Sequence, residues 1–287
     1  MLIRQAAQDF IKTLTPQYGE GETRAIYRYV FEDYFGFKNL DEELHDFLIE
    51  DIEKITQRIM SGEPVQYVVG FSWFYGLKLK VNSSVLIPRP ETEELVEWIL
   101  ETTKNNASIL DIGTGSGCIP ITLKTKNPTL NLTAIDISEA ALITASRNAF
   151  RLNADVDFKR IDILNENDRR TLPKFDTIVS NPPYIPNVEK ALMHNNVLHY
   201  EPHLALFVDD DSPLIFYEKI AEFAEKHLNT VDEGNPEEGG KGYLFFECNE
   251  FNAEQVVDLL STKRFKNIEL RKDMSGKDRM IRAVWAD

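Results

Sequence analysis

Cysteine is scarce: Cys118 and Cys248 are the only two in 287 residues. Two thiols do not make a disulfide framework and suit a reducing compartment, so a cytoplasmic location is expected. No run approaches the roughly 20 consecutive apolar residues that span a bilayer, and no membrane partner is expected. The opening MLIRQAAQDFIKTL carries Asp9 and no small-residue cleavage site, so it does not read as a signal peptide. Positive charge is also short, with 32 Lys and Arg against 47 Asp and Glu and a net charge of −15. A grip on duplex phosphates needs a basic face, so direct binding of nucleic acid is disfavoured. A cationic small molecule or a basic partner protein fits the charge better. Metal-ligand spacing is missing as well. His194, His199 and His203, with Glu201 among them, match no zinc pattern, and no metal is expected. Cys118 opens a helix, where a thiol pKa is lowered, but no catalytic histidine pairs with it. A Cys-His hydrolase is disfavoured, and Cys118 reads as a small core residue.

What is present is a globular composition, 43% apolar and 28% charged, long enough for one large domain or two ordinary ones. Residues 1–75 read as a small helical domain. Leu44, Phe47, Leu48, Ile52, Ile55 and Ile59 recur at helical spacing, with acids in the first turn. Before them lies an aromatic-rich stretch broken at Gly36. Residues 76–90 read as a hairpin linker, closing a region rich in alternating apolar residues and in Gly70, Gly76 and Asn82. Residues 91–287 read as an α/β domain. Seven candidate strands (108–112, 132–137, 156–161, 176–180, 242–248, 267–271 and 279–286) alternate with helical stretches such as SEAALITASRNAF. This predicts a mostly parallel sheet with helices on both faces. The stretch 229–242 is polar and Gly-rich and reads as a surface loop.

The first predicted strand of this domain runs into Gly113-Thr114-Gly115-Ser116-Gly117 and then a helix. Glycine permits the tight strand-to-helix turn and lets a ligand lie against the backbone. The helix N-terminus is expected to leave free N–H groups facing that ligand. The second strand ends in Asp136, 23 residues after Gly113, where an acid holds a ribose diol. Asp111, at the end of the first strand, attracts a cationic amino group of the ligand or caps the turn. Asp162, after the third strand, contacts adenine or caps its own loop. These features together resemble the class I S-adenosylmethionine-dependent methyltransferases, over residues 106–287. The resemblance implies a seven-stranded, mostly parallel sheet whose last strand is antiparallel.

The fourth strand ends in Asn181-Pro182-Pro183-Tyr184. Proline lacks the N–H but keeps its carbonyl, and Asn181 before a proline is driven toward extended backbone. The product is a stiff turn with two convergent acceptors, the Asn181 side-chain oxygen and the Pro182 carbonyl. Two such acceptors suit a planar –NH₂, with the Tyr184 ring available to stack on it. Holding both N–H bonds orients a poor nitrogen nucleophile and stabilises the positive charge that develops on it. Asn181, between the two ligands, is expected to touch the cofactor too.

Five segments, LIPRPETEELV (86–96), ILDIGTGSGCI (109–119), VSNPPYIP (179–186), YEPHLAL (200–206) and KDMSGKDRMIRA (272–283), resemble the PrmC/HemK family of protein-glutamine N5-methyltransferases. The resemblance implies a methyl transfer to the glutamine of the Gly-Gly-Gln motif in peptide chain release factors, with an N-terminal helical domain that engages the partner. It assigns the cofactor to Gly113–Gly117 and Asp136, and the glutamine to Asn181, Pro182, Pro183 and Tyr184. Glu201, Arg89 and Glu91 read as braces of the clamp loop or as simple ion-pairing residues. Competing readings are a ribosomal-protein glutamine methyltransferase, a DNA adenine methyltransferase and a non-catalytic, cofactor-sensing scaffold.

Overall fold

Doubly buried apolar runs build the centre of this protein. The computed structural model describes residues 1–229 and 242–285. The polar stretch expected to be a surface loop lies almost wholly outside the described residues. Two compact units are present, one of residues 1–71, 81–83 and 193–200, the other of residues 72–80, 84–192 and 201 onward.

The first unit contains α1 (Ile3–Tyr27), a wider π-helical turn at Arg28–Tyr34, α2 (Asp46–Met60) and α3 (Val65–Val69). Gly19, at φ 74°, interrupts α1 so that it is two helical segments end to end. Phe10, Leu14, Phe31, Ile52, Ile55 and Ile59 share one core. Phe47 departs from the expected stripe. It is 61% exposed, because it sits about 100° around the helix from Leu48, and it stacks instead on His45.

The hairpin falls earlier than the sequence suggested. Its strands are β1 (Phe71–Phe74) and β2 (Leu77–Lys80). Tyr75 and Gly76, at φ 50° and 77°, form the two-residue turn that the twist of paired strands favours. Residue 90 lies beyond it and already opens a helix, α4 (Pro90–Thr102). The expected boundaries at 75 and 90 therefore do not coincide with those of the compact units.

The second unit continues with β3 (Ser108–Ile112), α5 (Cys118–Lys126), β4 (Asn131–Asp136), α6 (Glu139–Leu152), β5 (Val156–Arg160), α7 (Glu166–Arg169), β6 (Thr177–Ser180) and β7 (Ile185–Pro186). After α8 (Asn195–Tyr200), which belongs to the first unit, come β8 (Phe207–Val208), α9 (Ile215–His227), β9 (Gly242–Glu247), α10 (Ala253–Thr262), β10 (Phe265–Lys272) and β11 (Asp278–Trp285). Seven strands form the main sheet in the order β10-β11-β9-β6-β3-β4-β5. Strand β11 runs antiparallel to both neighbours, and β9, β6, β3, β4 and β5 are mutually parallel.

Successive strand residues point to opposite faces. Leu110, Ile178, Leu244 and Phe246 pack with Tyr217, Ile220 and Phe223 of α9 and with Val256 and Leu260 of α10. Their neighbours Ile109, Val179 and Phe245 pack on the other face with Leu95, Trp98 and Ile99 of α4 and with Ile119 and Leu123 of α5. Trp98 meets Phe245 edge-on at 5.5 Å, and Tyr217 meets Phe246 the same way at 5.1 Å. From β3 the chain steps outward to β4 and β5, whereas from β6 it steps the other way to β9. The loops after β3 and β6 therefore diverge and open a crevice at the carboxyl ends of the strands.

Candidate active site

The crevice deepens into a cavity of about 310 Å³, at the lower end of the range for small-molecule sites. Gly113, Gly115, Asp136, Asp162, Asn181, Pro182 and Pro183 all line it. Seven of the residues singled out in the sequence thus meet in one place, drawn from the ends of β3, β4, β5 and β6.

Asp136 is braced from two sides. One carboxylate oxygen accepts the Gly115 N–H at 2.9 Å and the other the Ser138 N–H at 2.9 Å. Burial raises its pKa, and the hydrogen bonds from Ser138 and Gly115 offset part of that. The glycine turn is held as firmly. Gly113 and Thr114 both donate to the Ile135 carbonyl, at 2.9 and 3.0 Å. Three loop amides are therefore committed to the protein and not to a ligand.

Gly117 does not line the cavity. A Cβ placed on it would meet Ile121 Cδ1 at 2.7 Å and Ala145 Cβ at 3.2 Å, and its φ is 79°. This glycine lets α5 and α6 approach each other and does not face a ligand. Thr114 and Ser116 are buried, and neither hydroxyl has a hydrogen-bond partner among the described residues. Asp162 lines the cavity, while its Oδ1 accepts the Leu164 N–H at 2.9 Å. It therefore caps its own loop and leaves a second oxygen available.

Asp111 is 1% exposed, and no hydrogen bond reaches either carboxylate oxygen among the described residues. Burial pushes its pKa up to about 7; the Thr114 hydroxyl beside it offsets part of this without reaching hydrogen-bond geometry, and the Asp136 charge adds to it. A buried carboxylate without a partner is costly unless a ligand completes it. Cys118, beside it, is not an activated thiol despite its place at a helix start. Burial and the Asp111 charge push it up to about 12.

The clamp turn is anchored from behind. The Asn181 amide nitrogen donates to Thr92 Oγ1 of α4 at 3.3 Å, and Thr92 donates to Glu247 Oε2 at the end of β9 at 2.6 Å. No donor among the described residues reaches the Asn181 side-chain oxygen or the Pro182 carbonyl. Tyr184 is set apart from the cofactor cavity. It is not on the cavity wall but packs partly buried against the α9-side core. Burial raises its hydroxyl pKa, with Glu247, Arg279, Arg89 and Glu91 as the charged groups around it. Glu201 is buried and takes the Arg89 guanidinium at 2.6 Å and the Ile87 N–H at 3.2 Å. It ties the segment ahead of α4 to the loop that follows the clamp.

Sequence reasoning missed the apolar wall of the cavity. Ile137, Ile163, Leu164 and Phe216 line it, and Ile137 and Leu164 are apolar yet exposed. No aromatic residue between Asp162 and Asn181 offered itself for a purine, and Phe216 arrives from α9, further along the chain. Glu247 and Thr92 were missed too. Among the described residues no cluster of three potential metal ligands occurs, and no helix is long and apolar enough to cross a membrane.

The cavity thus combines a braced carboxylate, Asp136, with an apolar wall, while Asp111, buried and unpartnered, lies behind its lining. The fold and the site define a class I S-adenosylmethionine-dependent methyltransferase. Residues 91–204 match the methyltransferase small domain family. A methyltransferase from Pyrococcus furiosus shares the fold, with a TM-score of 0.53 at 18% identity over 82% of this chain and 100% of that one. The release factor glutamine methyltransferase of Flavobacterium psychrophilum is 41% identical over 98% of this chain and 99% of its own. That of Bacteroides thetaiotaomicron is 38% identical over 98% and 97%. The chain belongs to the release factor glutamine methyltransferase family.

Proposed function

We propose that this protein methylates the side-chain amide nitrogen of the glutamine in the Gly-Gly-Gln motif of peptide chain release factors, using S-adenosylmethionine, and so acts in translation termination in the cytoplasm. The single observation that carries this reading is the fixed amide of Asn181. Its nitrogen is held by Thr92, so its oxygen is the end presented beside the Pro182 carbonyl. Two acceptors on a proline-stiffened turn match the two N–H bonds of a primary amide.

The cofactor supplies an already electrophilic methyl group, so no metal or covalent nucleophile is needed. Asp111 would hold its amino group, Asp136 its ribose, and the wall of Ile137, Ile163, Leu164 and Phe216 its base. Asn181 and Pro182 orient the substrate nitrogen and favour the charge that develops on it. The proline pair keeps that geometry from relaxing. The helical unit is assigned to engagement of the release factor, by the family resemblance alone.

Mass spectrometry of release factor incubated with the enzyme and S-adenosylmethionine tests the proposal. The expected result is a single added methyl on the Gly-Gly-Gln peptide, nearly abolished by Asn181→Ala. Methylation of adenine in DNA with none on the peptide overturns it. Asp136→Ala is expected to weaken cofactor binding, and an unchanged affinity by calorimetry would refute the ribose assignment.

A further inference from the structure

The clamp needs more than an asparagine. A primary amide rotated by 180° about its last bond presents an N–H₂ where the oxygen was, and would repel an incoming substrate –NH₂ instead of accepting from it. Something must choose between the two orientations. We propose that Glu247 and Thr92 make that choice, as a one-way hydrogen-bond relay that locks the Asn181 oxygen toward the substrate. This deepens the functional reading above and rests on it.

Direction along the relay follows from the chemistry of its end. Glu247, 2% exposed at the last residue of β9, can only accept while it is a carboxylate. Thr92 has one hydroxyl proton and spends it on Glu247 at 2.6 Å. What Thr92 then offers Asn181 is a lone pair, and only the nitrogen end of the amide can use it, at 3.3 Å. The backbone of Glu247 is pinned as well, its carbonyl accepting from the Tyr217 hydroxyl at 3.1 Å. Glu247 and Thr92 contribute no atom to the cavity wall, so both are positioning residues.

Protonation of Glu247 would reverse the relay, because a carboxylic acid donates. Burial pushes its pKa up to about 7, offset by Thr92, by Arg279 of β11 and by Asn181, while Glu91 of α4 pushes it further up. Tyr217 of α9, Tyr184, Cys248 and Cys118 of α5 are the remaining titratable groups that sense its charge.

The test uses the full chain. Thr92→Val keeps the shape and removes the hydroxyl, and Thr92→Ser restores it. Turnover of release factor by Thr92→Val is expected to fall about 10- to 100-fold in kcat, with cofactor affinity by calorimetry within about twofold of the parent. Thr92→Ser is expected to recover most of the loss. At saturating cofactor, kcat of the parent should fall as pH drops through about 7, and Glu247→Gln, whose carbonyl oxygen still accepts, should flatten that limb. A Thr92→Val enzyme with parental kcat, or a Thr92→Ser enzyme as slow as Thr92→Val, overturns the relay. A second readout needs no substrate. In the ligand-free protein the Asn181 side-chain amide protons, identified by their loss in Asn181→Ala, should exchange slowly and should exchange fast in Thr92→Val. Fast exchange in the parent protein sinks the relay whatever the substrate proves to be; slow exchange without methylation of release factor would instead sink the functional reading.

Discussion

Asp111 concentrates the electrostatic tension of the ligand-free site in one side chain. Its pKa moves from 3.8 to about 7, chiefly through burial. Between those values the folded protein keeps a proton that the unfolded chain has released. Stability from this group is therefore greatest below pH 4 and is lost as pH rises through 7. Asp111→Asn, similar in shape and never charged, should raise the melting temperature of the ligand-free protein by a few degrees at pH 8, and by less at pH 6. The same change should weaken S-adenosylmethionine binding about tenfold or more in calorimetry, the loss of one charge-assisted contact. A variant that is less stable at pH 8, or that binds the cofactor unchanged, would refute this account. Residue-scale reading of the sequence named Asp111 and Asn181 because each falls at a strand end beside a glycine or proline turn, and Asp136 because it ends the next strand, 23 residues after Gly113. It passed over Glu247 and Thr92, which lie 155 residues apart and carry no local signature. Tyr184 adjoins the clamp in the chain yet packs toward the α9-side core, since adjacency in sequence says nothing about which way a ring turns.

At the scale of elements, strand positions were the most legible part of the chain. Strand β3 spans Ser108–Ile112 as expected, and the other six main-sheet strands agree to within two residues at each end. Runs buried on both faces leave a strong mark in the sequence. The hairpin was misplaced because the signal between 62 and 90 was spread over several glycines, and only the left-handed backbone at Tyr75 and Gly76 marks its turn. Gly117 shows a different kind of misreading. The sequence offered it as part of a ligand cradle, whereas the structure uses it to seat α5 against α6. Gly117→Ala should therefore cost about 1–3 kcal/mol in denaturant unfolding, through a crowded Cβ and a strained φ. An unfolding midpoint equal to that of the parent would show that Ile121 and Ala145 yield without cost.

Across the whole molecule the net charge of −15 bears on encounter with a partner. Long-range attraction between an acidic protein and a basic surface is screened within about 8–10 Å at physiological salt. If release factor is drawn in by complementary charge, its KM should rise steeply as salt is raised from 50 to 300 mM, while KM for a short Gly-Gly-Gln peptide should change little. Equal salt responses for protein and peptide would show that the acidity serves solubility and not recruitment.

Strand β11 has a consequence for how the protein is made. It is synthesised after both β9 and β10, yet it lies between them and supplies the hydrogen bonds of each. A nascent chain still holding residues 278–285 inside the ribosome has a sheet whose β9 flank is open and a β10 with no strand to pair with. The wedge that closes it arrives last, so this protein completes its architecture only after its own translation has passed that point.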